Sequence, residues 1–184
     1  DLFIGDYSNT RIRVVNLSTG NFQSAVGGAT ASYGDNKYPI DFLSNANGLN
    51  VKSGNLYIAD WNKCVVSVWN RGSTSLTSNG VTIPAGKVSS LLGSFGGGCQ
   101  SWTTGGTKEG ATAVGTLVNQ PSDVVKLTDG SLIVPSYNDH CIYKVTTTGT
   151  VTQYLGLCGT AGDADGSVPN TTTVRISNPR LITE

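Results

Sequence analysis

Three hexapeptides share one form: Leu2-Phe3-Ile4-Gly5-Asp6-Tyr7, Leu56-Tyr57-Ile58-Ala59-Asp60-Trp61 and Leu132-Ile133-Val134-Pro135-Ser136-Tyr137. Each is a short apolar run closed by Asp or Ser and then an aromatic. Runs this short and this apolar, with side chains alternating to both faces, predict strands covered on two sides rather than helices. A second strand is expected after each, at residues 11–16, 65–70 and 141–146, and a third at 22–27, 87–93 and 150–156. A further strand precedes two of the blocks, at 49–52 and 123–127, and residues 181–183 repeat its form. Gly54-Asn55 and Asp129-Gly130 supply tight turns of the kind hairpins need. The unit is therefore a meander of four short strands followed by a long Gly-rich loop, with no 3.6-residue period anywhere in it.

Composition agrees with an all-β chain. The 184 residues carry 13% charged side chains, about half the soluble average, and good helix formers are scarce. This length suits one domain. Net charge is zero, which removes the basic footprint of a nucleic-acid binder. No apolar run approaches the ~20 residues of a membrane span, so membrane insertion is not expected. The sequence starts at Asp1 and has no Met, the mark of a processed product or of a piece of something longer. Four Cys are present without a CxxC pair, which argues against a zinc ribbon or a thioredoxin-like site. Asn16-Leu17-Ser18 and Asn170-Thr171-Thr172 are N-glycosylation triplets. An even Cys count, the triplets and a Ser/Thr/Asn-rich surface together predict a secreted protein, glycosylated at Asn16 and Asn170.

Four-stranded meanders set radially are the blades of a β-propeller. The expectation is one partial propeller domain over residues 1–184, with a blade 1 core at 2–27, blade 2 at 49–93 and blade 3 at 123–156. Residues 181–183 then begin a further blade. The stretch Leu2-Phe3-Ile4-Gly5-Asp6-Tyr7-Ser8-Asn9-Thr10-Arg11-Ile12 resembles the signature of NHL-repeat propellers, an apolar strand followed by Asp-x-x-Asn-x-Arg-Ile. Two connections resemble the inter-blade loops of that family. One is Gly159-Thr160-Ala161-Gly162-Asp163-Ala164-Asp165-Gly166 with Ser177-Asn178-Pro179; the other is Gly105-Gly106-Thr107-Lys108-Glu109-Gly110-Ala111 with Asn119-Gln120-Pro121. Departures are Ser136 in place of the Asp, Cys141 in place of the Arg, and Cys64 near the Arg position of its blade. Pro135, in a strand expected to be central, calls for a bulge or an unpaired acceptor. Three blades do not close a ring, since propellers have about four to eight. The first and last blades are split across the termini. Either two copies form a six-bladed ring or a longer array, or further blades belong to the same longer chain.

Candidate residues follow from these positions. Four Cys allow three connectivities. Cys141 opens one strand and Cys158 lies just past its neighbour, with Cys64 and Cys99 placed similarly one blade earlier, so Cys64–Cys99 and Cys141–Cys158 are the expected bridges. Four reduced thiols in a cytosolic protein are the alternative. Asp6, Asp60 and Ser136 have two readings, as ligands around a central channel or as short acceptors that close a turn onto backbone N–H groups, and their repetition favours the second. Tyr7, Trp61 and Tyr137 are repeat-equivalent and are expected beside the long loops, where they either bind a protein or glycan or pack between blades. Asp163-Ala164-Asp165-Gly166 has the look of a calcium loop, with Asp163 and Asp165 as ligands, but lacks the remaining oxygens. His140, the sole His, is expected in a turn. Gly96-Gly97-Gly98 precedes no helix and so makes no phosphate cradle.

No catalytic constellation and no cofactor is expected. Some propellers that resemble this chain are lactonases or lyases with a channel metal, but the first strands offer Asn50, Lys52, Asp123 and Lys126, a poor metal set. An intracellular adaptor with an RNA-facing surface would want basic charge. The sequence reading is a secreted, non-catalytic structural or interaction module, with a metal-channel enzyme as the alternative.

Overall fold

The computed structural model describes residues 1–28, 31–42, 44–102, 108–169 and 171–183. β1 (Leu2–Asp6), β2 (Arg11–Val15) and β3 (Phe22–Val26) form an antiparallel sheet in the order β1-β2-β3. β4 (Ala46–Lys52), β5 (Asn55–Asp60) and β6 (Val65–Trp69) lead into a hairpin of β7 (Leu76–Ser78) and β8 (Val81–Ile83). β9 (Val88–Leu92) then completes a second sheet, β4-β5-β6-β9. β10 (Val125–Lys126), β11 (Leu132–Ser136), β12 (Cys141–Val145) and β13 (Val151–Leu155) make the third, in sequence order. The chain is all-β; its helical elements among the described residues are two single 3-10 turns, Tyr7–Asn9 and Pro39–Asp41.

The three sheets repeat one another in detail. Each has a bulge at the same point, beside Ile12, Val66 and Ile142. Two residues before each bulge, Thr10, Cys64 and His140 all adopt a left-handed backbone with φ of 53–54°. Opposite them stand Gly27, Gly93 and Gly156, with φ of 80–91°. A Cβ on these glycines would lie 2.4–2.9 Å from the carbonyl oxygen of Thr10, Cys64 or His140, so the turn closes only on glycine.

Alternation along β5 explains how the sheets stack. Leu56 and Ile58 point into one core with Ile12, Val26 and Phe42, between the first and second sheets. Tyr57 and Ala59 point the other way, into a larger core with Val134, Tyr143 and Val145 of the third. The middle sheet is thus buried on both faces, as its unbroken apolar run requires. Truncating Ile58 or Val134 to Ala would cost about 2–5 kcal/mol by the usual range for fully buried aliphatics.

The first strands of successive sheets lie side by side. Asn47 Nδ2 donates to the Ser122 carbonyl at 3.1 Å, and the Lys126 amide donates to Asn50 Oδ1 at 3.1 Å. The C-terminal segment continues the series: Ser122 Oγ donates to the Pro179 carbonyl at 2.8 Å, and the Ile182 amide to Asp123 Oδ2 at 3.1 Å.

Three expectations are corrected. Residues 181–183, expected to begin a further blade, form no strand and run beside the third sheet, with the Ile182 amide on Asp123 Oδ2. β10 is two residues long where five were expected. Pro135 offers its partner no N–H, so the β10–β11 ladder is confined to Val125↔Ile133 and Lys126↔Leu132, while the Ser122 amide still donates to the Pro135 carbonyl. Residues 72–86, where no strand was expected, hold the β7–β8 hairpin. Its turn, Asn79-Gly80, has φ of 48° and 76°, the type I′ geometry that this dipeptide favours. Asn79 Nδ2 donates to the carbonyls of Thr146 at 2.8 Å and Val145 at 3.2 Å, which straps the second sheet to the third.

Both expected disulfides are formed. Cys64 bonds Cys99 and Cys141 bonds Cys158, with Cα separations of 5.1 and 4.9 Å. Among the described residues no helix is long and apolar enough to cross a membrane.

Candidate functional site

Each strand that carries a signature hexapeptide ends at a turn, and the turn residue decides where the following aromatic goes. Asp60 is buried and accepts the Asn45 amide on Oδ2 and the Lys63 amide on Oδ1, both at 2.9 Å. Burial pushes its carboxyl above the usual carboxylate range, against the pull of those N–H groups. Asp6 closes its turn on side chains instead, with Asn9 Nδ2 at 2.8 Å and Arg13 Nε at 2.9 Å. Those bonds, the Arg13 one first, hold its carboxyl below the usual value. Ser136 acts as a donor, to the Asn119 carbonyl at 2.6 Å, and bonds Asp139 at 3.2 Å. Asp139 takes over as the buried acceptor of the third sheet. It receives Ser101 Oγ at 2.8 Å, the Trp102 amide at 3.0 Å and the Tyr143 hydroxyl. Burial, then the charge of Asp139, raises the Tyr143 phenol well above its ordinary value.

A second set of residues locks the aromatics between sheets. Asn45 Nδ2 donates to the Tyr7 carbonyl at 2.9 Å, and Asn178 Nδ2 repeats the bond to the Tyr137 carbonyl at 3.0 Å. The Trp61 amide donates to the Asn45 carbonyl and the Tyr137 amide to that of Gln120. Asn45, Gln120 and Asn178 all lie at the ends of inter-sheet connections, so each connection fixes the backbone of one or two rim aromatics.

Tyr7, Trp61 and Tyr137 are thereby brought together. Trp61 and Tyr137 have ring centroids 4.9 Å apart, tilted by 52°. The Tyr7 hydroxyl donates to Asn62 Oδ1 at 2.8 Å, beside Trp61. The Arg180 guanidinium lies over Tyr137 at 4.9 Å and over Trp61 at 6.0 Å. Tyr7, Asn47, Trp61 and Arg180 line an open recess of about 160 Å³. The arrangement joins flat apolar surface, an amide and a planar cation, the mixture used to bind small polar ligands. Arg180 and Asn47 carry no signal in the sequence; Asn47 reaches the rim from β4 and Arg180 from the segment past Pro179.

The other candidates stand apart from this recess. Asp163 and Asp165 are exposed in a loop held by the Ala164–Arg175 bridge, and among the described residues no three His, Cys, Asp or Glu side chains converge. His140 occupies its turn and accepts the Asn178 amide on Nδ1 at 3.2 Å. Asn16 is exposed in a turn where its Oδ1 accepts the Ser18 amide; Asn170 and Gly105-Gly106-Thr107 lie outside the described residues. Lys126 contacts Ser78 Oγ at 3.0 Å, and burial pushes its ammonium down to about 8. Ser78 nevertheless donates to Asn79 Oδ1 and accepts from Lys126, so nothing takes its proton and the pair works as a strap rather than as an activated nucleophile.

Comparison with protein-family models gives no match, and comparison with curated protein sequences gives none.

Proposed function

We propose that this chain is a secreted, non-catalytic interaction module, a partial β-propeller of NHL-like blades whose aromatic rim binds protein or glycan. One observation carries this reading. Two of three repeat-equivalent aromatics, Tyr7 and Trp61, line one recess, the third, Tyr137, packs on Trp61, and Asn45 and Asn178 hold the backbones of Tyr7 and Tyr137. The propeller reading draws support from the stacking of three like meanders with their first strands adjacent. Further blades, from the same longer chain or from another copy, would continue that stack. The disulfides and the exposed Asn16 triplet are compatible with an extracellular surface or filament glycoprotein.

The test is binding of the disulfide-bonded protein to immobilised glycans and extracellular-matrix proteins, with Trp61→Ala and Tyr137→Ala alongside. Loss of a specific binder in both variants, with melting temperature kept within a few degrees, is expected. Full binding by both variants would place the interface elsewhere. A stoichiometric metal in purified protein, with hydrolase or lyase turnover, would favour the channel-enzyme reading.

A further inference from the structure

We infer that the recess between Tyr7, Trp61 and Arg180 selects acidic sugars, a hexuronate ring placed on the aromatic faces with its carboxylate on the Arg180 guanidinium. This rests on the rim being the binding face and names its ligand.

The charge at Arg180 is what sets the ligand class. Among the described residues the guanidinium groups of Arg13, Arg71 and Arg180 lie over rings, and two of the three have a carboxylate to balance them. Arg13 lies over Phe22 and pairs with Asp6 at 2.9 Å; Arg71 lies over Phe3 and Trp69 and pairs with Asp1 at 3.4 Å. Arg180 is exposed and has ring contacts to Trp61 and Tyr137, but no carboxylate pairs with it among the described residues. The acidic side chains of the rim turns are already engaged, Asp60 by backbone N–H groups and Asp6 by Arg13. A guanidinium fixed by stacking keeps its N–H fork free in its own plane, and that fork matches a carboxylate bidentately.

The remaining walls suit a sugar ring. Tyr7 and Trp61 give flat apolar surface for the C–H face of a pyranose. Asn47 lines the recess and spends its Nδ2 on the Ser122 carbonyl, which leaves Oδ1 as an acceptor for a ring hydroxyl. The Tyr7 oxygen donates its proton to Asn62 and keeps lone pairs for another. An acidic peptide would satisfy Arg180 but would offer the two ring faces no ring of its own.

The experiment is a titration of the disulfide-bonded protein with oligogalacturonate, with a neutral galactose oligosaccharide of equal length and with oligoglutamate. Trp fluorescence and amide NMR shifts give the readout. Oligogalacturonate is expected to bind at least about tenfold more tightly than either control, with an affinity that falls as salt rises. Arg180→Leu, an exposed substitution that keeps the stem, should lower oligogalacturonate binding to the neutral level. Trp61→Ala should abolish both. Equal binding of acidic and neutral sugars, or an unchanged preference in Arg180→Leu, overturns the role of Arg180 and leaves the rim intact as a binding face. Tighter binding of oligoglutamate, or no saccharide binding at all, overturns the sugar assignment, while the protein panel described above still tests the rim separately.

Discussion

Asn45 donates its side-chain amide to the backbone carbonyl of Tyr7 at 2.9 Å, across the boundary between the first and second sheets. The same side chain accepts the Tyr33 hydroxyl at 2.7 Å, and its backbone N–H donates to Asp60 while its carbonyl accepts the Trp61 amide. One buried residue thus sets the positions of two rim aromatics. Asn45→Ala would strand the Tyr7 carbonyl and the Tyr33 hydroxyl, at a cost of about 1–3 kcal/mol. Asn178→Ala, made at a partly exposed equivalent with one side-chain donor bond, should cost less. Urea denaturation midpoints of the two variants check the order.

Each disulfide should stabilise by closing a loop in the unfolded chain. The bridges span 17 and 35 residues, so loop entropy predicts about 3 kcal/mol for Cys141–Cys158 and slightly more for Cys64–Cys99. Paired Cys→Ser variants, compared by thermal melting, test this. A fall of similar size for both is expected, because the logarithm of loop length changes slowly.

Lys126 gives the fold a pH dependence. Its ordinary value is 10.5, and burial lowers it to about 8 in the native protein. Between those values the unfolded chain holds a proton that the native chain has released, so stability rises with pH across the window. Lys126→Met should flatten that rise. At pH 7 it removes a half-buried charge but also leaves Ser78 Oγ, Asn79 Oδ1 and the Gly130 carbonyl without that donor, so the two effects oppose each other there. Denaturant midpoints measured from pH 7 to 10 check the flattening.

The outer face of the first sheet carries an apolar patch beside the Asp6–Arg13–Ser24 cluster. Register puts Leu2, Val15 and Phe22 on it with Ile4, and Leu2, Ile4 and Phe22 are 51%, 40% and 61% exposed. Such a face, beside the open edge of β1, favours association. Ile4→Lys with Phe22→Lys should lower the apparent mass at high concentration in light scattering while leaving the melting temperature nearly unchanged.

Much of this architecture was legible in the sequence, for identifiable reasons. The apolar hexapeptides mark β1, β5 and β11; β5 from Leu56 on and all of β11 are buried, as a continuous apolar run requires, whereas Leu2 and Ile4 of β1 stay exposed against that expectation. Cys141 and Cys158 were placed opposite each other because one turn separates their strands. Local pattern gave less where tertiary contact decides. Asn79-Gly80 between two alternating triplets carried a hairpin signal that the surrounding Gly and Ser residues hid. Residues 181–183 have strand character, yet a strand forms only beside a partner, and here they meet Asp123 instead. At the rim, repetition singled out Tyr7, Trp61 and Tyr137. Asn47 lies in β4 and Arg180 just past Asn178-Pro179, and no repeated residue type marks either position; Asp139 became the buried acceptor where Ser136 stands in place of the expected Asp.

The account rests on the sheets stacking so that Trp61 and Tyr137 touch. Nuclear Overhauser contacts between the Trp61 indole and the Tyr137 ring, in the oxidised protein, measure this directly. Strong cross-peaks are expected, from centroids 4.9 Å apart. Their absence, in a sample whose β5 and β11 amides are protected from exchange, would contradict the stacked arrangement and the recess built on it.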